Sequence, residues 1–292
     1  MADLGGADPP VEPAARARAR STHSPLISEV GAHVNIVVLV KQVPDTWAER
    51  RLSDSDRTLD RASVDVVMNE IDEYAVEEAL RLKESSGGEV TIVTMGPERA
   101  VETIRKALSM GADKAVHLTD PALAGSDAVQ TSYALAKVLE TLEYDLVIAG
   151  SEATDSRMSI MTALLAERTG QPQLSGARKV DAQDGTVRIE RQTESGYDVV
   201  EAQTPALVSV VEKINEPRYP SFKGIMAAKK KPLTTLTVAD AGIDPAQVGL
   251  ASAPSQVSSF ATKPPRSAGQ VVKDEGDGGV KVVEFLASQK LV

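Results

Sequence analysis

The chain has no cysteine among its 292 residues. That excludes disulfides, thiolate-held iron–sulfur clusters, Cys-ligated zinc and a thiol nucleophile. Aromatic residues make up only 3% of the sequence, so a stacking platform for single-stranded nucleic acid is not expected. Basic residues are outnumbered, 32 against 42 acidic ones, and the formal net charge is −10. An acidic chain lacks the basic face that phosphate neutralisation needs, which argues against DNA or RNA as a partner. No apolar run approaches the ~18–20 residues of a membrane-spanning helix, so direct membrane insertion is not expected.

Several chemical signatures are also missing. There is no G-x-G-x-x-G, no G-x-x-x-x-G-K-[ST] and no H-E-x-x-H. Of the three histidines, His23 and His33 lie in an N-terminal stretch without core pattern. The third, His117, sits inside the strand-like KAVHL and reads as structural. A Ser-His-Asp set would have to use that histidine. Acidic pairs such as Glu77-Glu78 read as a solvated helix face. No catalytic residue and no metal site is therefore expected.

What is present is a hydrophobic content of 42%, enough for a sizeable core. Residues 1–33 stand apart, rich in Ala, Pro, Arg, Ser and Gly and without an aromatic residue. They read either as a disordered extension or as sequence upstream of a true start at Val34. No long apolar stretch precedes a cleavage site, which argues against export and leaves a cytoplasmic protein as the expectation.

From Val34 onward, strand and helix patterns alternate. Asn35–Val40, Glu89–Met95, Lys114–Leu118, Asp145–Ala149 and Ala206–Val211 are continuous apolar, β-branched runs, the mark of strands buried on both faces. Helices are predicted between them. The first follows Asn69 as N-cap, with Asp72 reaching back, and ends before Gly87-Gly88. Others span Pro97–Met110, Asp127–Leu142 with Ser126 as cap, and about Met158–Arg168. The rhythm predicts an α/β fold with a doubly wound, mostly parallel sheet. Asp184-Gly185 and Ser195-Gly196 are hairpin-turn dipeptides, so Val180–Gln203 is predicted to be an appended antiparallel ribbon. After Val238 the chain turns Pro-, Ser- and Gly-rich and ends in an amphipathic stretch at Val282–Leu291. Three units are expected: the extension 1–33, an α/β domain at 34–238 that its family resemblance implies is nucleotide-binding, and at 239–292 an extended C-terminal arm, or a linker whose last helix packs on its own domain.

Open α/β sheets bind ligands at the carboxyl ends of their strands. Here those ends read Lys41-Gln42-Val43-Pro44-Asp45, Met95-Gly96-Pro97 and Gly150 to Ser156. A nucleotide laid across these loops is one reading; tight strand-to-helix turns at Gly96 and Gly150 are the other. A second cluster, KINEPRYPSFKGIMAAKKK (213–231), has two prolines beside Tyr219 and Phe222. It reads as a stiff loop presenting an aromatic anchor, or as a local cluster closing on itself. The triplet Lys229–Lys231 is a solvated face or a patch that steers an acidic partner.

These segments, in this order, resemble the β subunit of electron transfer flavoprotein. The stretches that carry the resemblance are NIVVLVKQVPDT (35–46), NEIDEYAVEEALRLKE (69–84), MGPERAVETIRKALSMGADKAVHL (95–118), DLVIAGSEATD (145–155) and the 213–231 cluster. Members of that family begin at about Asn35, which favours the later start. The resemblance implies an electron carrier rather than an enzyme. This subunit would pair with an α subunit, with one FAD held mainly by α. Electrons would pass from acyl-CoA dehydrogenases and similar flavoproteins to a membrane quinone reductase. It further implies a structural AMP in the β subunit. Carried over residue by residue, that site comprises Leu39 on the first strand, then Asn69, Glu70, Ile71 and Asp72 at the first helix start, and Met95 after the second strand. The phosphate loop would be Gly150, Ser151, Glu152, Ala153, Thr154, Asp155, Ser156, Arg157, Met158, Ser159, Ile160 and Met161. The recognition loop for the dehydrogenase would be 214–226, with Phe222 as anchor, Tyr219, Ile225 and Met226 beside it, and Lys229, Lys230 and Lys231 following. The C-terminal arm would dock on the α subunit.

Two departures from the family pattern stand out. After Thr154-Asp155 the family's glycines and a hydroxyl, at the position of Met158, are replaced, which removes phosphate contacts; Arg157 offers a charge instead. The ribbon carries Glu194-Ser195-Gly196 where consecutive acidic or Gly residues are preferred. Two alternatives stay open: a subunit of a bifurcating, NADH-oxidising assembly with a second FAD in place of AMP, implied by relatives that share Lys41-Gln42-Val43-Pro44-Asp45-Thr46, and a stand-alone adenine-nucleotide sensor, which the altered Ser156–Thr162 loop encourages.

Overall fold

The structure, a computed structural model, describes residues 33–265, 269 and 271–292. The expectation for residues 1–32 lies outside them. In chain order the strands are β1 (Ile36–Leu39), β2 (Gln42–Pro44), β3 (Val66–Met68), β4 (Val90–Met95), β5 (Lys114–Leu118), β6 (Leu146–Gly150), β7 (Gln173–Gln183), β8 (Thr186–Thr193), β9 (Gly196–Gln203), β10 (Ala206–Val210) and β11 (Leu233–Leu236). The α-helices are α1 (Glu70–Ser86), α2 (Val101–Met110), α3 (Ala128–Leu139), α4 (Met161–Thr169), α5 (Phe222–Ala228) and α6 (Gly278–Ser288).

Among the described residues, nine strands form one sheet in the order β11-β5-β4-β1-β6-β10-β7-β8-β9. From β11 to β7 every neighbouring pair is parallel; β7-β8 and β8-β9 are antiparallel. The predicted fold class is therefore the observed one. β7 joins the two parts: its first half pairs with β10 and its second half with β8. The turn between β7 and β8 uses Asp184 at φ 51 and Gly185 at φ 76, the left-handed backbone that a two-residue hairpin demands.

Alternation along β1 shows why its sequence is apolar throughout. Ile36 and Val38 enter one core and Val37 and Leu39 the other, so neither face is left to water. The first core is closed by α1 and α2 through Ala75, Val76, Ala79, Leu80, Ile104 and Leu108. The second is closed by α3 and α4 through Ala134, Leu135, Val138, Leu139 and Leu165.

Four expectations need correction. Ser126 does not cap α3. Asp127 does, accepting from the Gln130 amide at 3.0 Å in a capping box, while Ser126 Oγ accepts from the Gly249 amide. The fourth helix starts at Met161 rather than Met158, because Arg157 and Ser159 take left-handed backbone. Residues 213–231 are not loop throughout, since α5 lies within them, and β11 follows at the sheet edge. The boundary placed at Val238 falls inside the packed body: Val238, Ala241, Ile243 and Val248 are buried in the second core, and Ala253 is buried too. Asp127 Oδ2 then receives the Ser255 amide and hydroxyl, which ties the chain down as far as that residue. Beyond it the described residues of the arm are mostly exposed, and α6 lies near its end.

Candidate functional site

The chain leaves β1 for β4 and β5 on one side, then returns to β6 on the other. The sheet's switch point lies between β1 and β6, where open α/β sheets offer a crevice beyond the strand ends. Gly150 ends β6 there, and Lys41 follows the end of β1.

Asn69 and Asp72 meet at this point. Asn69 precedes α1 as expected but does not cap it. Its Nδ2 donates to Asp72 Oδ1 at 2.9 Å and to the Glu152 carbonyl at 2.9 Å; its Oδ1 accepts the Thr154 amide at 3.0 Å. The fully buried amide thus ties the start of α1 to the loop after β6. Asp72 Oδ2 accepts the Lys41 amide at 2.8 Å. Burial pushes the Asp72 carboxyl up to about 7, against the pull of the donors from Asn69, Lys41 and Gly150. A Cβ at Gly150 would lie 2.5 Å from Asp72 Oδ1 and 3.0 Å from the Ile71 backbone. The glycine is thus demanded by chain packing, whatever the crevice holds.

Asp155 is the second node. Its side chain is inaccessible to solvent and lies between Lys41 Nζ, at 2.8 Å, and the Arg61 guanidinium. Burial alone would raise its carboxyl; the two cations outweigh that and hold it below the usual carboxylate range. Arg61 is a site residue the sequence reading missed. It lies in a loop without periodicity, and nothing in its surroundings marks it. Lys41 had a visible signal, its place directly after the first strand.

The rest of the predicted set is placed differently. Leu39 is buried in the second core, and Met95 is half-buried at the end of β4. Glu70 is exposed and its Oε1 accepts the Thr46 hydroxyl. Ile71 packs beside Gly150, and the Ser151 amide donates to Val210. Ala153 accepts the amides of Ser156 and Arg157, forming a turn. Ser156, Arg157, Met158, Ser159 and Ile160 face outward, and Met161 opens α4. Arg157 (φ 48) and Ser159 (φ 54) hold a backbone that glycine adopts without strain.

The loop suits an anion in its chemistry. Thr154 Oγ1 is buried without a hydrogen-bond partner. Ile160 caps α4 with no side-chain bond, leaving first-turn amides open, and Arg157 makes no ion pair among the described residues. Those three features fit a phosphate despite the lost glycines.

The 213–231 cluster forms a second surface. Tyr219 and Phe222 are 95% and 80% exposed, and Ile225 and Met226 are about half exposed. Beneath them the chain is held by ions. Arg218 Nε and Nη2 donate to the two oxygens of Glu77 at 2.7 and 2.9 Å, and Nη1 donates to Glu84 at 2.5 Å. Asn215 Nδ2 donates to Glu78 at 3.0 Å. Glu77 and Glu78 are therefore buried, not a solvated face, because the returning chain covers them. Burial raises the Glu78 carboxyl, and the bond from Arg218 lowers that of Glu84. Of the three lysines, Lys229 and Lys230 are exposed. Lys231 instead donates to the carbonyls of Leu108 and Ala112 at the end of α2, so it is a helix cap. Gly224 is required where α5 crosses α2, since a Cβ there would sit 2.5 Å from the Ser109 carbonyl oxygen.

His117 is buried with Nε2 against the Gly96 carbonyl at 3.1 Å. Among the described residues no group of three or more His, Asp or Glu is placed to hold a metal. No described helix is long and apolar enough to cross a membrane.

Comparison with known proteins shows the family of the chain that carries these two surfaces. The electron transfer flavoprotein domain model matches residues 56–241. The chain belongs to the electron transfer flavoprotein family. It is 54% identical over 264 residues to electron transfer flavoprotein subunit beta of Mycobacterium tuberculosis H37Rv, covering 88% of this chain and 99% of that protein. The subunit beta of Thermoanaerobacterium thermosaccharolyticum is 41% identical, with 89% and 100% covered. Subunit CarD of the caffeyl-CoA reductase-Etf complex of Acetobacterium woodii is 36% identical, with 82% and 92% covered. The family is one of flavin-associated electron carriers. In this member of the electron transfer flavoprotein family, the α5 surface and the Lys41, Asn69, Asp72 and Gly150–Asp155 part of the strand-end site lie in segments that carried the resemblance, whereas Arg61 and residues 156–161 lie outside them.

Proposed function

We propose that this chain is the β subunit of a heterodimeric electron transfer flavoprotein. It takes electrons from acyl-CoA dehydrogenases and similar flavoproteins and passes them to a membrane quinone reductase, in the cytoplasmic compartment. FAD is held mainly by the α subunit and, when bound, supplies the redox chemistry. This chain's own residues dock partners and shape the assembly; none is assigned a catalytic step. The observation that carries the reading is the α5 surface, where Tyr219, Phe222, Ile225 and Met226 stand exposed on an ion-clamped base. Rigid exposed aromatics are efficient anchors because little conformational freedom is lost on docking.

The strand-end loop is assigned to AMP in a structural role. Arg157, Thr154 Oγ1 and the first turn of α4 would hold its phosphate, and Asn69 and Asp72 keep the crevice's two walls together. The arm after Ser255 is assigned to the α subunit. Val280, Val282, Val283 and Phe285 on α6 are each more than half exposed, which supports a covering partner.

A second reading, a place in an NADH-oxidising assembly with a second FAD instead of AMP, draws on the relative named as part of a reductase complex. Native mass spectrometry of the chain recovered with its partners separates the two. The carrier reading expects a heterodimer with one FAD and one AMP; two FAD and no AMP overturns it. Electron uptake tests the surface: Phe222→Ala is expected to slow uptake from the dehydrogenase with FAD content unchanged, and unchanged uptake removes Phe222 as the anchor.

A further inference from the structure

The helix that presents the exposed apolar side chains cannot orient itself. α5 has seven residues, fewer than an isolated helix needs, and only Ala228 of it is buried. Its position comes from the close approach of Gly224 to Ser109 on α2 and from the chain on either side. Downstream, Arg105 Nη1 donates to the carbonyls of Ala228 and Lys231. Upstream, the fixed point is Arg218, four residues before Phe222. Its guanidinium forks onto Glu77, and its own backbone amide donates to Glu77 Oε2 at 3.1 Å, so side chain and main chain are registered on one carboxylate. Glu77 and Glu84 are seven residues apart, two turns along one face of α1. Between Arg218 and Phe222 the chain has little freedom: Pro220 fixes its own φ, and Ser221 accepts the Gly224 amide at 3.0 Å as the cap of α5.

We infer that Arg218, seated between Glu77 and Glu84, is a positioning residue that holds Phe222 in its docking geometry. This rests on the reading of α5 as the surface that meets the electron donor. Lysine cannot replace it, because a point charge does not reproduce a planar fork on one carboxylate.

The test uses the flavin-loaded heterodimer and an acyl-CoA dehydrogenase reduced by its acyl-CoA, with the rate of electron uptake measured against heterodimer concentration. Arg218→Ala is expected to raise the apparent KM about tenfold and leave kcat within about twofold, since docking geometry and not the transfer step is lost. Arg218→Lys stays impaired severalfold. Glu84→Gln, at a 58% exposed side chain, folds normally and raises KM about threefold. Amide exchange at 219–228 should quicken in both arginine variants. An unchanged KM in Arg218→Ala, or a lowered kcat at unchanged KM, overturns the inference. Should Arg218→Ala fail to fold, Glu84→Gln decides alone, and an unchanged KM there overturns it. Phe222→Ala keeps the two readings apart. If it raises KM while the arginine and glutamate variants do not, only the positioning role falls; if it has no effect, the docking reading falls and takes this inference with it.

Discussion

The strand-end crevice and the α5 surface use the same material in opposite directions. Each is built over a buried carboxylate held by cations or amides. In the crevice, Asn69 bonds Asp72, and Asp155 holds Lys41 and Arg61, all facing inward, while the exposed apolar Met158 and Ile160 sit on the loop beyond this knot. On α5 the ions lie underneath, at Glu77 and Arg218, and the apolar side chains point to solvent. The first arrangement knots distant segments together. The second uses its ionic contacts to present a surface. A buried ion pair therefore does not announce a ligand site; the direction of the remaining side chains does.

The comparison can be broken most forcefully at the knot. Gly150→Ala forces a Cβ against Asp72 and the Ile71 backbone, and is expected to cost about 2–3 kcal/mol in denaturant unfolding. A cost under half of that would mean the strand ends are looser than their packing implies. Asp155→Asn leaves Lys41 and Arg61 without their shared counter-ion. Both are partly exposed, so about 1–2 kcal/mol is expected.

The two acids of the crevice also respond to pH with opposite signs. Asp155 has a lowered carboxyl, so its stabilisation is present above the unfolded value of 3.8 and is lost as pH falls through the folded one. Asp72 is raised to about 7, so the folded state binds the extra proton and stability declines as pH rises from 3.8 toward 7. Urea midpoints taken across that range should show a decline that Asp72→Asn flattens. If that variant keeps the full decline, Asp72 is not its source.

Smaller effects sharpen the second surface. Lys231→Met removes the cap on α2 and should cost about 1 kcal/mol, without altering partner docking as a charge patch would. Phe222→Ala should change stability by less than about 0.5 kcal/mol, because an exposed side chain buries little. A large loss of stability there would place Phe222 in the fold's own packing and end its role as a presented anchor.

Much of the architecture was legible in the chain. Runs such as NIVVLV are readable because a strand buried on both faces must be apolar at every position. The ribbon was readable because Asp184-Gly185 supplies the left-handed backbone its turn requires. Elements without such a signature escaped: β11 is a short edge strand with half-buried leucines, and α5 lacks a buried stripe. Of the crevice, Asn69, Asp72 and the loop after Gly150 were legible through the resemblance, while Arg61 was not, since an arginine in an aperiodic loop carries no mark of its partner 94 residues away.

By itself, the sequence determined the parallel α/β core, the appended ribbon and the absence of thiol chemistry, because hydrophobic periodicity, turn residues and composition act locally, and it carried the family through the resemblance of its motifs. Only the tertiary structure decided that Glu77 and Glu78 are buried, that Lys231 caps a helix while Lys229 and Lys230 stay in solvent, and that Gly150 answers to Asp72. Each of these depends on which distant segment folds over a residue, and a charged side chain reads the same in the chain whether water or a counter-ion surrounds it.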